Sequence, residues 1–223
     1  MQILYEDNHL LIVNKEPGEI VQGDKTGDTP LSETLKTYLK EKYNKAGNVF
    51  CGVTHRIDRP VGGLVVFAKT SKALERMNKM FRDGEVDKSY LAIVEGKPEK
   101  PEDTLTDYLV SDGKINKTFV SSPSNPEAKK SILLYNTITN GDRYSLLEIK
   151  LMTGRKHQIR AQLSNMGHPI KGDLKYGAKR SNPDGSISLL AHKISFIHPV
   201  SKDHIEIEAP LPPFFQKFLP GNV

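Results

Sequence analysis

The sequence has no tryptophan and a single cysteine, Cys51. One cysteine cannot form a disulfide within the chain or supply a cysteine-rich metal site, so both of these stabilising features are excluded. No base or helix start is evident beside Cys51, and a buried thiol is therefore predicted rather than a nucleophile. A chain without an internal disulfide is compatible with the reducing cytoplasm, which is the expected location.

Long apolar runs are also absent. Glu6 and Asp7 precede a short apolar stretch at residues 10–13, which is far too short to span a bilayer. The start of the chain lacks the basic residues and the long hydrophobic core of an export signal. No targeting or membrane-spanning segment is therefore predicted.

The charge of the chain is unevenly distributed. Its 223 residues, 37% of them hydrophobic, are enough for a substantial core, and one catalytic domain is expected over residues 1–223. The net charge is +5, yet residues 150–180 contain eight Lys or Arg and a single acid, Asp173. Such a stretch is typical of a surface that binds a polyanion such as RNA, although a solvated basic surface without a partner explains it as well.

Turn residues and hydrophobic periodicity predict an α+β fold, with a largely antiparallel mixed sheet and flanking helices. Strands are predicted at residues 3–5, 10–15, 64–68, 88–95, 104–110, 115–120, 131–139, 144–151, 189–197 and 204–208. Helices are predicted from the N-cap Thr29 to about residue 43, from the N-cap Ser71 to Gly84, and over residues 155–166.

Charged residues surround Asp58 in the sequence THRIDRPVGG of residues 54–63. Arg56 and Arg59 flank the acid, and the apolar run of a predicted strand follows the glycines. A desolvated carboxylate is costly unless it is paired, so these arginines are expected to keep Asp58 ionised as a nucleophile or charge stabiliser. A surface Asp–Arg pair that braces a turn is the alternative, and these ten residues by themselves favour it.

A second group of polar residues lies at 151–160 and continues at 167–173. A Thr-Gly dipeptide precedes the helix predicted there, and free N–H groups at a helix start favour an anion. Arg155 and Arg160 could then bind different anions, with Asp58 as one of them. A basic helix whose arginines only cover apolar surface is the alternative.

Four segments form an ordered series: EDNHLLIVNK at residues 6–15, HRIDR at 55–59, KSYLA at 88–92, and TGRKHQIR at 153–160 with GHPIKGD at 167–173. Together they resemble the motifs of the RluA-type family of RNA pseudouridine synthases, and the resemblance extends over most of the chain. It implies the pseudouridine synthase catalytic fold. It also implies an isomerase without a cofactor that breaks the N1–C1′ bond of uridine, turns the uracil and reattaches it through C5.

The resemblance further implies roles for individual residues. Asp58 would initiate cleavage, Tyr90 would stack on the uracil and help to remove the C5 proton, and Arg160 would pair with Asp58. Arg56 would fill the space left by the flipped base, because the target atom cannot be reached inside a stack. The residues expected to contact RNA are Arg56, Arg59, Arg155, Lys156, His157 and Lys171. Half-buried packing is the alternative role for a strand tyrosine such as Tyr90.

The histidines are not expected to perform chemistry. The side chains of His55 and His157 are predicted to be hydrogen-bonding struts rather than catalysts. His192, His198 and His204 recur every six residues, but no carboxylate accompanies them, and no metal site is predicted.

The chain departs from the family's pattern at several positions. Gly62 stands where the family often has serine, which would loosen the Asp58 loop or alter a backbone contact. Lys156 replaces a small hydroxyl residue and is a candidate phosphate contact. Ile57 replaces the more usual leucine, and Glu16 interrupts the usual Lys-Pro pair. No additional N-terminal RNA-binding domain is expected, because the chain begins directly with the first motif.

RNA, either tRNA or rRNA, is the expected partner, and a monomer without an obligate protein partner is expected because no exposed apolar seam is evident. A non-catalytic RNA-binding module on the same scaffold is the alternative, and its salt-sensitive binding would not depend on Asp58. A glycoside or nucleoside hydrolase is less favoured, because no second carboxylate can be identified as its proton donor.

Overall fold

The computed structural model describes residues 1–219. The strands are β1 (Gln2–Glu6), β2 (Leu10–Lys15), β3 (Gly52–Val53), β4 (Gly62–Ala68), β5 (Asp87–Glu95), β6 (Glu102–Asp112), β7 (Lys117–Ser121), β8 (Lys129–Asn140), β9 (Tyr144–Leu151), β10 (Leu189–Ile197) and β11 (His204–Glu208). The helices are α1 (Leu31–Lys42), α2 (Ser71–Asp83), α3 (Gln158–Asn165) and α4 (Pro213–Gln216), and a 3-10 turn covers Leu174–Tyr176.

The chain divides into two compact units. The first contains residues 1–87 and 191–210, and the second contains residues 88–190 and, within the described chain, residues 211–219. The single catalytic domain expected over residues 1–223 stays a prediction, and its last four positions lie outside the described residues.

The first unit is a sheet covered by α1. Its strands follow the order β1-β2-β4-β10, with β3 paired to β4 and β11 paired to β10. Strand β2 is almost entirely buried because both of its faces are covered. The stripe of α1 packs on the sheet in a core that contains Leu11, Val13, Val21, Leu31, Leu35, Leu39, Cys51, Val65 and Phe67. This core lies beneath the loop that joins β3 to β4, because Ile57 of that loop packs against it.

The second unit is an antiparallel sheet in the order β5-β9-β8-β6-β7. Strand β7 lies at the end of this order, and α3 lies near β6 and β7. Leu133 of β8 faces Leu151 of β9, so the segment that follows β9 leaves the sheet at the end where β8 begins. The sheet therefore directs residues 153–160 into α3 at this end.

The observed α+β fold with antiparallel strand pairs confirms the predicted fold class. The predicted N-cap Thr29 lies one residue too early, because Pro30 is the N-cap of α1. The predicted N-cap Ser71 lies one residue too late, because Thr70 caps α2 by accepting a hydrogen bond from the Ala73 N–H. Gly84 ends α2 in the left-handed conformation, as predicted. Among residues 1–219, no helix combines the length and the apolar composition needed to cross a lipid bilayer.

Candidate active site

Asp58 lies in the loop between β3 and β4 of the first unit. The Val61 N–H donates to the Asp58 carbonyl oxygen at 3.0 Å and closes a tight turn. Asp58 is partly buried, whereas Arg56 and Arg59 are exposed. Arg59 Nη2 lies 2.7 Å from Asp28 Oδ2, and the side chains are 46% and 51% exposed. Solvent weakens such an exposed pair, so it contributes little to stability.

The start of this loop is fixed to β4 by two side chains. Thr54 Oγ1 donates to the Val66 carbonyl oxygen at 2.7 Å, and His55 Nε2 accepts from the Val66 N–H at 3.1 Å. The His55 ring also lies 4.6 Å from the Phe81 ring of α2, centroid to centroid. His55 therefore has the structural role predicted for it.

The far side of the loop is held by a buried lysine at the end of β2. Lys15 is 1% exposed, and its Nζ donates to the carbonyl oxygens of Arg59 at 3.1 Å, Glu16 at 3.0 Å and Glu19 at 2.8 Å. The Arg59 carbonyl also accepts from the Gly18 N–H at 2.8 Å. The carbonyl of Arg59, the residue after Asp58, is thus fixed by two hydrogen bonds from residues 15–18.

The sequence did not identify this role of Lys15, although one signal was present. A lysine that continues the apolar strand β2 is unusual, because lysine is almost never fully buried without partners. Burial lowers the pKa of Lys15 to about 8, and the carboxylates of Glu19 and Asp58 oppose this shift. Asp58 is therefore electrostatically coupled to a buried cation.

Lys15→Met should change how stability depends on pH. Below pH 8, Lys15 is charged in the folded and the unfolded chain, and the cost of burying its charge is fully present. Between about 8 and its ordinary pKa of 10.5, the unfolded chain binds more protons, so this cost is relieved as the pH rises. The free energy of unfolding of the native protein should rise relative to that of the variant by up to about 3 kcal/mol across this window. Urea unfolding of both proteins below pH 8 and near the upper end of this window measures it, and a constant difference would contradict it.

The glycines after Asp58 allow β4 to approach its neighbours closely. A Cβ at Gly63, where φ is +110°, would lie 2.7 Å from the Ala191 nitrogen and closer still to the Ala191 carbonyl oxygen. At Gly62 a Cβ would lie 3.3 Å from Cδ of Pro17. Gly63 is therefore required for contact with β10, whereas Gly62 leaves only limited space for the serine of the family pattern.

Tyr90 lies on β5 of the second unit and is 8% exposed. It faces Ile149 of β9. Lys88 lies two residues earlier and therefore on the same side of the strand. Burial lowers the pKa of Lys88, and its Nζ would lie 3.9 Å from a Cβ at Gly154. A partly buried lysine thus lies beside the turn that precedes α3.

The segment before α3 is held together by the Gln158 side chain. Its Oε1 accepts from the Arg155 N–H and from Thr153 Oγ1, each at 2.9 Å, and its Nε2 donates to the Ile132 carbonyl oxygen at 3.0 Å. The prediction that the helix begins at residue 155 was wrong, because it begins at Gln158. His157, with a φ of +51°, prevents an earlier start. The Arg155 N–H, which was expected to be free for an anion, donates to the Gln158 side chain instead.

Arg160 and Asp173 form a buried, bidentate ion pair. Arg160 Nε lies 2.7 Å from Asp173 Oδ2, and Arg160 Nη2 lies 2.8 Å from Asp173 Oδ1. The two side chains are 6% and 1% exposed. The sequence did not identify Asp173 as a partner, although it is the single acid within residues 150–180. The predicted pairing of Arg160 with Asp58 stays a prediction.

The other predicted RNA contacts differ in exposure. Arg155 and Lys156 are exposed. Lys171 is partly buried and donates to Asn182 Oδ1 at 2.8 Å. His157 is 8% exposed, and its Nδ1 lies 2.8 Å from the Tyr176 hydroxyl, which agrees with the predicted strut. Contact of these side chains with RNA stays a prediction.

His198 is fully buried, and the expectation that no carboxylate accompanies it was wrong, because its Nε2 lies 3.0 Å from Asp7 Oδ2. His198 Nδ1 accepts from the N–H groups of Val200 and Ser201. Within the described part of the chain, no three His, Cys, Asp or Glu side chains gather as metal ligands would. Cys51 is buried, as predicted, and burial raises the pKa of its thiol to about 12.

Comparison with known proteins gives the class of this chain. Residues 9–165 match the family model for RNA pseudouridylate synthase. Ribosomal large subunit pseudouridine synthase D of Zymomonas mobilis is 32% identical over 95% of this chain and 69% of that protein. tRNA pseudouridine synthase C of Vibrio vulnificus is 31% identical over 97% of this chain and 93% of that protein. The structure of human RNA pseudouridylate synthase domain containing 4 has the same fold, with a TM-score of 0.81 and 23% identity over 96% of this chain and 90% of the other.

The matches define an enzyme that isomerises uridine in RNA. The chain belongs to the RluA-type family of RNA pseudouridine synthases. The predicted family, fold class and enzyme class are thereby confirmed.

Proposed function

We propose that this enzyme converts one or more uridines of tRNA or ribosomal RNA to pseudouridine, with Asp58 as the residue that initiates the reaction. One observation carries the proposal: the match to the family covers residues 9–165 and includes Asp58, Tyr90 and Arg160. Relatives named for large-subunit ribosomal RNA and for tRNA are similarly close, at 32% and 31% identity, which supports both substrate classes.

The reaction balances within the nucleotide. The N1–C1′ bond breaks, the uracil turns, a C5–C1′ bond forms, the C5 proton leaves and N1 gains a proton. No atoms are lost overall, so no oxidant or second substrate is required. Positive charge develops at C1′ during cleavage, and the Asp58 carboxylate stabilises this charge or attacks the uridine as a nucleophile.

Tyr90 and Arg160 support this step in the proposal. The Tyr90 ring stacks on the turned uracil, and its hydroxyl helps to remove the C5 proton. Arg160 donates to Asp58 and keeps it ionised, because a neighbouring positive charge favours the carboxylate.

RNA is held by basic residues of both units in the proposal. Arg56 fills the space of the everted nucleotide, as base flipping requires. The other proposed contacts are Arg59, Arg155, Lys156, His157 and Lys171. The exposure of Arg56, Arg59, Arg155 and Lys156 supports phosphate contact, and phosphate contacts hold RNA without reading its sequence.

We further propose that the enzyme acts as a monomer in the cytoplasm. Its only cysteine is reduced and buried, which suits a reducing compartment. Light scattering after size-exclusion chromatography tests the monomer, and a dimer mass at enzyme concentrations used in assays would contradict it.

Tritium release from RNA labelled at uridine C5 tests the proposed function. The substrates should be total tRNA and ribosomal RNA from cells that lack this gene, because their target uridines are unmodified. Release is expected from at least one RNA class, together with a new pseudouridine at a defined position. The position that is unmodified without the gene should be the position modified in vitro.

Three results would contradict the proposal in different ways. No release from either RNA class, with tight RNA binding, would favour the non-catalytic binding module. Free uracil in place of pseudouridine would favour a hydrolase. Modification of an RNA other than tRNA or ribosomal RNA, and of no other class, would support the isomerase activity but contradict the proposed substrate classes.

A further inference from the structure

Three elements of the second unit meet at Tyr176, which ends the 3-10 turn and is 4% exposed. The turn closes on Asp173, since the Tyr176 N–H donates to the Asp173 carbonyl oxygen at 3.0 Å. The Tyr176 carbonyl oxygen accepts from Ser164 Oγ of α3 at 2.6 Å. The backbone of Tyr176 is therefore fixed at both ends.

The ring of Tyr176 contacts the guanidinium of Arg160. Arg160 Cζ lies 4.8 Å from the ring centroid, which is within the range of a cation–π contact. Asp173, in the same short segment, holds the Nε and Nη2 atoms of this guanidinium. Asp173 fixes an edge of the group, and the group lies over the Tyr176 ring, so together they restrict rotation about the side-chain bonds. Both contacts are buried, where electrostatic attraction is weakly screened.

The hydroxyl of Tyr176 acts on the start of α3. It accepts from the Thr118 N–H of β7 at 2.8 Å and shares a hydrogen bond with His157 Nδ1, also 2.8 Å away. His157 is the N-cap of α3 and has a φ of +51°, an uncommon conformation for a residue other than glycine. Backbone strain persists only where its surroundings enforce it. The hydroxyl therefore helps to hold the strained residue from which α3 carries Arg160, three positions later.

We propose that Tyr176 is a positioning residue for Arg160: its ring holds the guanidinium that lies over it, and its hydroxyl fixes the helix start that carries Arg160. This inference rests on the proposed function, because it takes Arg160 to be the partner of the catalytic carboxylate. It assigns to Tyr176 a contribution to the rate of isomerisation and not to RNA affinity.

Two substitutions separate the ring from the hydroxyl. Tyr176→Leu keeps apolar volume and removes both the π face and the hydroxyl, so the single-turnover rate should fall about tenfold or more, as for the loss of a desolvated cation–π contact. Tyr176→Phe removes only the hydroxyl, and its rate should lie between those of Tyr176→Leu and the native protein. The Kd for RNA should change less than about threefold in both, because phosphate contacts dominate binding.

Leu109→Ala is the matched control for damage to packing. Leu109 and Tyr176 belong to the same apolar cluster, but Leu109 has no part in the proposed machinery. This variant should lower the Tm and leave the single-turnover rate unchanged at a temperature where it is folded. A rate loss equal to that of Tyr176→Leu at equal loss of Tm would overturn the inference.

A double-mutant cycle tests whether Tyr176 acts through Arg160. Asp173→Asn weakens the other constraint on the guanidinium, and Arg160→Lys removes its planar face. Tyr176→Leu should slow the Arg160→Lys enzyme by less than twofold, and its effect should be non-additive with Asp173→Asn. Full additivity in the cycle with Asp173→Asn would overturn the inference, even if Arg160→Lys were too slow to measure.

Failure of this inference is distinguishable from failure of the proposed function. If the native enzyme releases tritium, depends on Asp58 and is unaffected by Tyr176→Leu, only the role of Tyr176 is rejected. If Asp58 can be replaced without loss of rate, the proposed function itself is rejected.

Discussion

Asp58→Asn should reduce tritium release by at least about a thousandfold while the enzyme still binds RNA, the size of effect seen when a group that stabilises transition-state charge is removed. The substitution keeps the shape of the side chain and removes its negative charge. The Kd for RNA should change less than about threefold, because phosphate contacts supply most of the affinity. Single-turnover tritium release and filter binding at one fixed salt concentration measure the two quantities.

Asp83→Asn is the matched control for this variant. Asp83 ends α2 in the same unit, and its carboxylate pairs with Lys79 on the surface. The substitution removes the same charge, so release and binding should both stay at the native level. Comparable release by Asp58→Asn and Asp83→Asn would show that the reaction does not use Asp58.

Gly63→Ala should destabilise the protein by about 3 kcal/mol or more, the sum expected for a strained backbone and an overpacked contact. The added Cβ would lie 2.7 Å from the Ala191 nitrogen, and backbone atoms cannot move aside as a flexible side chain can. Either β4 separates from β10 or the Asp58 loop moves, so tritium release should fall as well. Urea unfolding measures the stability, and single-turnover release measures the displacement of the loop.

Gly84→Ala separates the contact from the backbone strain. Gly84 also has a positive φ, of +76°, but a Cβ there would have no atom within 4 Å. Its substitution should cost about 1 kcal/mol, the penalty of the left-handed conformation alone, and leave release unchanged in folded enzyme. Equal costs at Gly63 and Gly84 would reject the close approach of Ala191 as the cause.

The sequence predicted most elements of the fold, because their signals are local. The bounds predicted for β2, β9, β10 and β11 agree with the structure, and Gly84 ends α2 as expected. Helix starts were less certain. Thr70 and Ser71 are both good N-caps, and only the folded geometry determines that the Thr70 oxygen meets the Ala73 N–H.

The start of α3 shows why local patterns fail. The apolar stripe of residues 155–166 fits a helix, but a hydrogen bond with residue 176 helps to hold His157 outside helical geometry. The two-residue strand β3 and the 3-10 turn are too short to leave a periodic pattern.

The candidate site was predicted only in part for a related reason. Motifs identified Asp58, Tyr90 and Arg160, but their supporting residues are distant in sequence and have no motif of their own. Lys15 is 44 positions from the Arg59 carbonyl that it holds, and Tyr176 is 58 positions from Thr118. A single sequence carries little information about such pairs.

The burial of Cys51 has a practical consequence for measuring these effects. The thiolate is the reactive form of cysteine, and a pKa near 12 leaves almost none of it at neutral pH. Maleimide dyes should therefore not react with Cys51 in the folded native protein. A cysteine introduced at an exposed position would then be a unique attachment point for a fluorophore, and docking of RNA could be followed by energy transfer without first removing Cys51.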